Sequence, residues 1–278
     1  MTIAELICFG NELLIGKTVN TNAHWIGKRL IMLGINLRRI TTVEDTIDQM
    51  IASIQEGLAR QPDILITTGG MGTTFDDMTL NALAKATGKE SKLNQKALEM
   101  IQKRLDYLNE EKGADIKLTD ERKQMAMLPE NAEPLKNTAG SAPGVFQIFE
   151  GIKIFSLPGV PKEMKAIFDN EITQRIASDS EKEYHERSLV VKGVPESELA
   201  AAITPIRKQF PTVYIKTHPK SAISNKALTT EVEIHLTILA TQDESKKLKR
   251  AEEQLISVIE QIEGLQHQKP VITRLFND

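Results

Sequence analysis

The chain has one cysteine, Cys8, which excludes an intramolecular disulfide and a cysteine-built zinc site. Cys8 lies within an apolar run and reads as a small core residue. No apolar stretch approaches the roughly 20 residues that a membrane-spanning helix needs, so no membrane partner is expected. The start, Met1-Thr2-Ile3-Ala4-Glu5, lacks the basic residues of a secretory signal, and a cytoplasmic location is expected. Net charge is -3, so no global basic field draws the protein to nucleic acid. The basic cluster Lys246-Lys247 with Lys249-Arg250 runs into Glu252-Glu253 and reads as a solvated helix face. His24, His185, His218, His235 and His267 show no metal-ligand spacing, and no GxSxG elbow supports a serine triad. Internal repeats and low-complexity tracts are missing too.

What is present is the composition of a soluble globular protein. Hydrophobic residues are 40% and charged residues 26% of 278 positions, enough for one large domain or two. Residues 3–9 form an apolar run that reads as a buried strand of a parallel sheet. Thr21 or Asn22 is placed to cap a helix that Gly34 stops, and residues 35–43 read as a second strand. Asp45 or Thr46 opens a helix whose Ile47, Met50, Ile51, Ile54 and Leu58 follow a 3.6 period. Ile64-Leu65-Ile66 is a third strand. This alternation predicts an α/β fold with a mostly parallel, doubly wound sheet. Helices follow over 79–86, 94–112 and 119–127. Strands 145–149 and 153–157 meet at a hairpin turn, Glu150-Gly151, and Pro161 begins another helix. The polar run 178–186 marks a domain boundary. Beyond it a strand (187–192), a helix (196–210), two strands (212–217 and 231–240) and a helix (244–263) make a small α+β unit. The expected division is 1–177, 187–265 and a tail, 266–278, with no evident core role.

The chemistry gathers in loops at strand ends, where doubly wound sheets bind ligands. Thr67 and Thr68 lead into Gly69, Gly70, Met71, Gly72, Thr73 and Thr74, then Asp76-Asp77 and a helix start. Glycines let backbone N–H groups approach a phosphate, and a helix N-terminus adds partial positive charge. The string matches neither GxGxxG nor GxxxxGK[ST]. Two carboxylates beside a phosphate cradle suggest a metal or acid–base chemistry. Gly10-Asn11-Glu12, residues 137–144 around Ser141, and Pro158-Gly159-Val160-Pro161 supply three further loops, with Lys162 and Glu163 beside the last. Glycine and proline mark ordinary turns one at a time. Four such loops in one domain point to a cleft for a phosphorylated nucleotide. Asp77 is the candidate metal ligand or general base, Asp76 supports it, and Glu12 is a further carboxylate for Mg²⁺-, Mn²⁺- or Co²⁺-type ions.

Several of these motifs, in order, resemble one family. Gly10-Asn11-Glu12-Leu13-Leu14-Ile15-Gly16, Thr21-Asn22-Ala23, Thr68-Gly69-Gly70-Met71-Gly72-Thr73-Thr74-Phe75-Asp76-Asp77, Gly140-Ser141-Ala142-Pro143-Gly144 and Leu157-Pro158-Gly159-Val160-Pro161-Lys162-Glu163-Met164 are similar to the CinA (competence/damage-inducible) family. The resemblance covers roughly the first 170 residues. It implies a three-layer α/β/α domain like the molybdopterin-binding domains of molybdenum-cofactor enzymes and the first domain of animal FAD synthases. It also implies a smaller KH-like α+β domain after it. The expected ligand is a pterin or a nucleotide diphosphate, and the expected activity is metal-dependent hydrolysis of ADP-ribose or FAD, or binding without hydrolysis. Asp77 stands at the functional aspartate of the family's motif. A homo-oligomer, dimer or trimer, is expected, whereas the amidase domain that often follows does not fit in this length. Three positions depart from the pattern. Asn20 stands where many relatives have aspartate, Thr73 where proline is usual, and the second domain lacks the GXXG clamp of RNA-binding KH modules.

Overall fold

A computed structural model describes residues 2–74, 77–220, 223–224, 227–228, 231–264 and 269–275. The chain divides into two compact units, Met1–Ser180 and Glu181–Asp278. Asp76 lies outside the described residues.

In the first unit the elements are β1 (Ile3–Phe9), α1 (Asn11–Leu14), α2 (Thr21–Met32), β2 (Asn36–Val43), α3 (Ile47–Ala59), β3 (Ile64–Gly69), α4 (Thr79–Ala86), β4 (Ser91–Leu93) and α5 (Gln95–Lys112). They continue with α6 (Asp120–Gln124), β5 (Met127–Pro129), β6 (Glu133–Leu135), β7 (Gly144–Phe149), β8 (Ile152–Pro158), α7 (Pro161–Ile167), a π-helical turn and α8 (Thr173–Ile176). The main sheet has the order β2-β1-β3-β8-β7-β6. Its first four strands run parallel, while β7 and β6 are antiparallel. Both faces are covered, and the sequence supplies both. On β1, Leu6 and Cys8 point to the layer of α2 and α7, with Ile26, Leu30, Ile167 and Phe168. Ile7 and Phe9 point to the layer of α3 and α4, with Met50, Ile54 and Leu83. A strand buried on both faces is mostly apolar, which is why β1 and β3 read as near-continuous runs; the exception on β1 is buried Glu5, which Arg60 pairs at 2.7 Å. Burial also pushes the Cys8 thiol up, against smaller opposing effects of Asn20 and Thr68, in keeping with a core role.

Local signals set the ends of these elements. The cap of α2 is Asn20, one residue before the expected pair, and its Oδ1 accepts from the Ala23 N–H at 2.9 Å. Asn94 caps α5 in the same way. The β7–β8 hairpin turns through Glu150 and Gly151, at φ 49° and 86°, the pair of positive values a two-residue type I′ turn requires. A third core, with Met71, Leu80, Ile101, Leu105 and Met125, seats α5 and the end of α6 beside the segment after β3.

The second unit holds β9 (Glu183–Lys192), α9 (Glu196–Gln209), β10 (Tyr214–Pro219), the short pair β11 (Ile223–Ser224) and β12 (Ala227–Leu228), β13 (Glu231–Ala240), α10 (Gln242–Ile259) and β14 (Val271–Leu275). Its antiparallel sheet has the order β10-β13-β9-β14. On β13 every second residue is buried, packing Val232, Ile234 and Leu236 with Leu199, Ile203, Leu248 and Leu255 of the helices. The two units divide between Ser180 and Glu181, within the polar run 178–186, and β9 already begins at Glu183. Its polar residues pair with each other along the strand, Tyr184 Oη donating to Glu186 Oε2 at 3.0 Å. One expectation needs correction. The supposed tail contributes β14, an edge strand on β9. Besides that ladder, Ile272 packs against the core and Arg274 Nε donates to buried Glu252, so one apolar residue and one charged residue hold it.

Candidate functional site

The parallel ladder of β3 and β8 ends with Gly69 beside Pro158, at the carboxyl edge of the sheet. There the backbone locks. Gly159 N–H donates to Gly69 O at 2.8 Å, and Asn22 Nδ2 donates to Gly159 O at 2.7 Å. Beyond Gly69 the chain wraps around the Asp77 carboxylate. Thr74 donates to Asp77 Oδ2 twice, from N–H at 2.8 Å and Oγ1 at 2.6 Å, while Asp77 N–H donates to Thr74 O at 3.1 Å. Two glycines make room for that carboxylate. A Cβ on Gly70 would lie 2.5 Å from Asp77 Oδ1 and 3.1 Å from its Cα, and one on Gly72 would lie 2.8 Å from Oδ2. The glycines therefore admit a side chain of the same loop as well as leaving space for a ligand. Gly70→Ala is expected to unseat Asp77, cost about 1–3 kcal/mol through overpacking, and weaken ligand binding. Urea unfolding and a binding titration on the same variant check both; an unchanged affinity would contradict it.

This loop borders a cavity of about 700 Å³. Arg104 of α5 and Arg122 of α6 reach its lining, with Glu163 of α7 and the backbone of Gly140 and Ser141. Glu163 is held by Asn137, whose Nδ2 donates to Oε2 at 2.6 Å and to Ala142 O at 2.8 Å. Asn137 Oδ1 accepts from the N–H groups of Ala139 and Gly140, so one side chain shapes the whole turn. The cavity thus contains two carboxylates and two guanidiniums, yet among the described residues neither Arg104 nor Arg122 has an ion-pair partner. The N–H groups of Met71, Gly72 and Thr73 donate to no described residue either. Cationic side chains and amides without acceptors are the kind of donors that phosphate groups bind.

The structure brings Gly69, Gly70, Gly72, Thr73, Thr74, Asp77, Ser141, Pro158 and Gly159 to this cavity. It places Gly10, Asn11 and Glu12 elsewhere. Glu12 lines an adjoining cavity of about 100 Å³ with Asn20, Asn22 and Thr68, and Gly159 borders both. Asn11 faces the other way, its Oδ1 accepting from Asp45 N–H at 3.3 Å, while its own N–H donates to Asp45 Oδ2. Gly10 N–H is spent on Val43 O at the end of β2. The short helix α1 is what carries these residues toward β2 rather than toward Asp77. Among the described residues no three histidine, cysteine, aspartate or glutamate side chains are grouped to hold a metal. Sequence reasoning missed Arg104 and Arg122, which no motif marked; Asn137 lay in the loop 137–144 that the sequence singled out, but without a role of its own.

The first unit is similar to proteins of one family. Residues 5–178 match a family model described as "Probable molybdopterin binding domain". A protein of Sulfurisphaera tokodaii is 41% identical over 225 residues, covering 81% of this chain and 83% of its own. A protein of Saccharolobus islandicus is 38% identical over 263 residues, 94% of this chain and 96% of its own. The crystal structure of the CinA protein from Thermoplasma acidophilum is similar at TM-score 0.55 and 36% identity, over 63% of this chain and 99% of that one. The residues that form the cavity all fall inside the matched span. The chain therefore belongs to the molybdopterin-binding domain family, as a CinA-like protein that carries this domain over residues 5–178.

Proposed function

We propose that the cavity between the glycine loop and α5 binds a phosphorylated nucleotide or pterin and hydrolyses a diphosphate linkage in it. One observation carries this reading: Arg104 and Arg122, which meet backbone carbonyls but no described carboxylate, line the cavity that holds Asp77 together with the amides of residues 71–73, which donate to no described residue. Family membership and the CinA-like fold support a ligand of this class.

The donor set suits a metal that arrives with its substrate rather than a resident one. Mg²⁺-type ions are commonly held by one or two carboxylates, with phosphate oxygens and water completing the shell. Asp77 is the carboxylate for that role; its Oδ2 is committed to Thr74, and no described residue donates to its Oδ1. Mg²⁺, Mn²⁺ or Co²⁺ there would neutralise phosphate charge and acidify a bound water. The arginines would spread the remaining negative charge, and the loop amides would orient the diphosphate. Glu163 would accept the proton of the water that attacks phosphorus as the anhydride P–O bond breaks, releasing two phosphate monoesters.

Incubation of the full chain with ADP-ribose or FAD and each metal, followed by chromatography, tests this. Metal-dependent release of the two monophosphates, stopped by a chelator, is expected. Saturable binding without products would instead support a binding protein without hydrolysis. That second reading has its own motive: the Asn20 side chain, where relatives often carry aspartate, is used as the cap of α2.

A further inference from the structure

A second cavity of about 560 Å³ adjoins the first, and the proposed hydrolysis leaves it unused. It lies between α5 and the segment that follows β6, and Arg104, Gly140 and Ser141 line both cavities. Lys103, Arg104 and Lys136 bring three cations to it, and no carboxylate lines it. Among the described residues none of the three has an ion-pair partner. Arg104 is the sharpest case. Its Nε is buried without an acceptor, and Nη2 reaches only Ala139 O at the long distance of 3.5 Å. Its guanidinium lies 5.4 Å from the centre of the Tyr107 ring, which orients the group. A buried N–H without an acceptor is costly, and three like charges around one space repel each other. An anion relieves both.

We infer that this second cavity is an anion subsite. It takes a phosphate group of the ligand separate from the one at the glycine loop, with Arg104 between the two. The inference rests on the reading of the first cavity as the ligand site, and it narrows the ligand class. The preferred molecule carries a further phosphate monoester away from its diphosphate. Lysine ammonium groups suit such a phosphate as point charges, and Tyr107 with Met100 gives the carbon skeleton an apolar wall.

Inorganic phosphate, titrated at constant ionic strength into ¹⁵N-labelled full chain, tests this through the amide resonances of two segments. Saturable shifts are expected in both residues 70–74 and residues 136–141. Exchanging Lys103→Met together with Lys136→Met is expected to weaken the second response by at least about fivefold, as loss of charge-assisted contacts does, while leaving the first within about twofold. Both lysines are exposed, so the variant keeps its fold. Shifts confined to residues 70–74, or a second response indifferent to the two lysines, overturn the subsite and leave the proposed function standing. Shifts confined to residues 136–141 that the lysine pair weakens keep the subsite and overturn the reading of the glycine loop. No saturation in either segment overturns both.

Discussion

Asp77→Asn is expected to retain the ligand while lowering metal-dependent turnover by about 10²–10⁴-fold, the range for loss of a group that acts on the reacting centre. The argument begins with shape. Asparagine fills the same space between Gly70 and Gly72, and its one carbonyl oxygen still accepts from Thr74, whose N–H and hydroxyl both point at Oδ2. The loop therefore keeps its course and its free amides. What disappears is the negative charge that holds the cation. Removing an anion from a phosphate site does not weaken phosphate binding without metal, so affinity under a chelator should stay level or improve. Asp77→Ala separates the two roles from the other side. It releases both Thr74 donors and leaves the loop without its centre, so affinity and turnover fall together. Calorimetric titration without metal, beside product formation with it, measures the two quantities for both variants. Full turnover in Asp77→Asn would remove Asp77 from the chemistry and leave it as a loop anchor.

The fold was legible because its signals are local. β1 and β3 are mostly apolar on both faces, Gly34 and Gly113 end helices in the left-handed conformation, and Glu150-Gly151 makes a two-residue turn. Each depends on neighbours within a few positions. The site was legible where a turn motif marked it, as at Ser141 and at Pro158-Gly159, which reach the cavity from separate loops. The glycine loop and Asp77 belong to one short segment, and that segment reached the cavity. Arg104 and Arg122 come from helices rich in charge, where an arginine that meets a ligand looks the same as one that meets water. Only the packing of Ile101, Leu105 and Met125 beside Met71 turns those helices so that the arginines line the cavity. Glu12 shows the converse error. Its position at a strand end placed it with Asp77, but α1 and the bonds between Asn11 and Asp45 direct that turn to another pocket. β14 escaped because an edge strand of five residues held by Ile272 and Arg274 leaves no apolar period.

Arg187→Ala is expected to destabilise the second unit more than removal of the acid it serves. Glu252 of α10 has a side chain only 3% exposed, and it accepts from Arg187 Nη1 at 2.9 Å and from Arg274 Nε at 3.2 Å. Its two partners are 39% and 48% exposed. The asymmetry decides the outcome. Truncating Arg187 leaves a carboxylate in the core with only the strand-edge contact from β14, and a buried charge stripped of a partner costs about 3–5 kcal/mol. Truncating Glu252 leaves two half-exposed guanidiniums that can turn into water, so the loss is mainly packing and the contacts themselves, about 1–3 kcal/mol. The double variant, Arg187→Ala with Glu252→Ala, should then be more stable than Arg187→Ala alone, because removing the orphaned charge relieves its desolvation. Arg274→Ala should fall between the two single changes and loosen β14 from β9, seen as faster amide exchange at residues 271–275. Urea unfolding of the four variants gives the order. A double variant no more stable than Arg187→Ala would mean that solvent already reaches Glu252 and that the pair is held by packing rather than by charge.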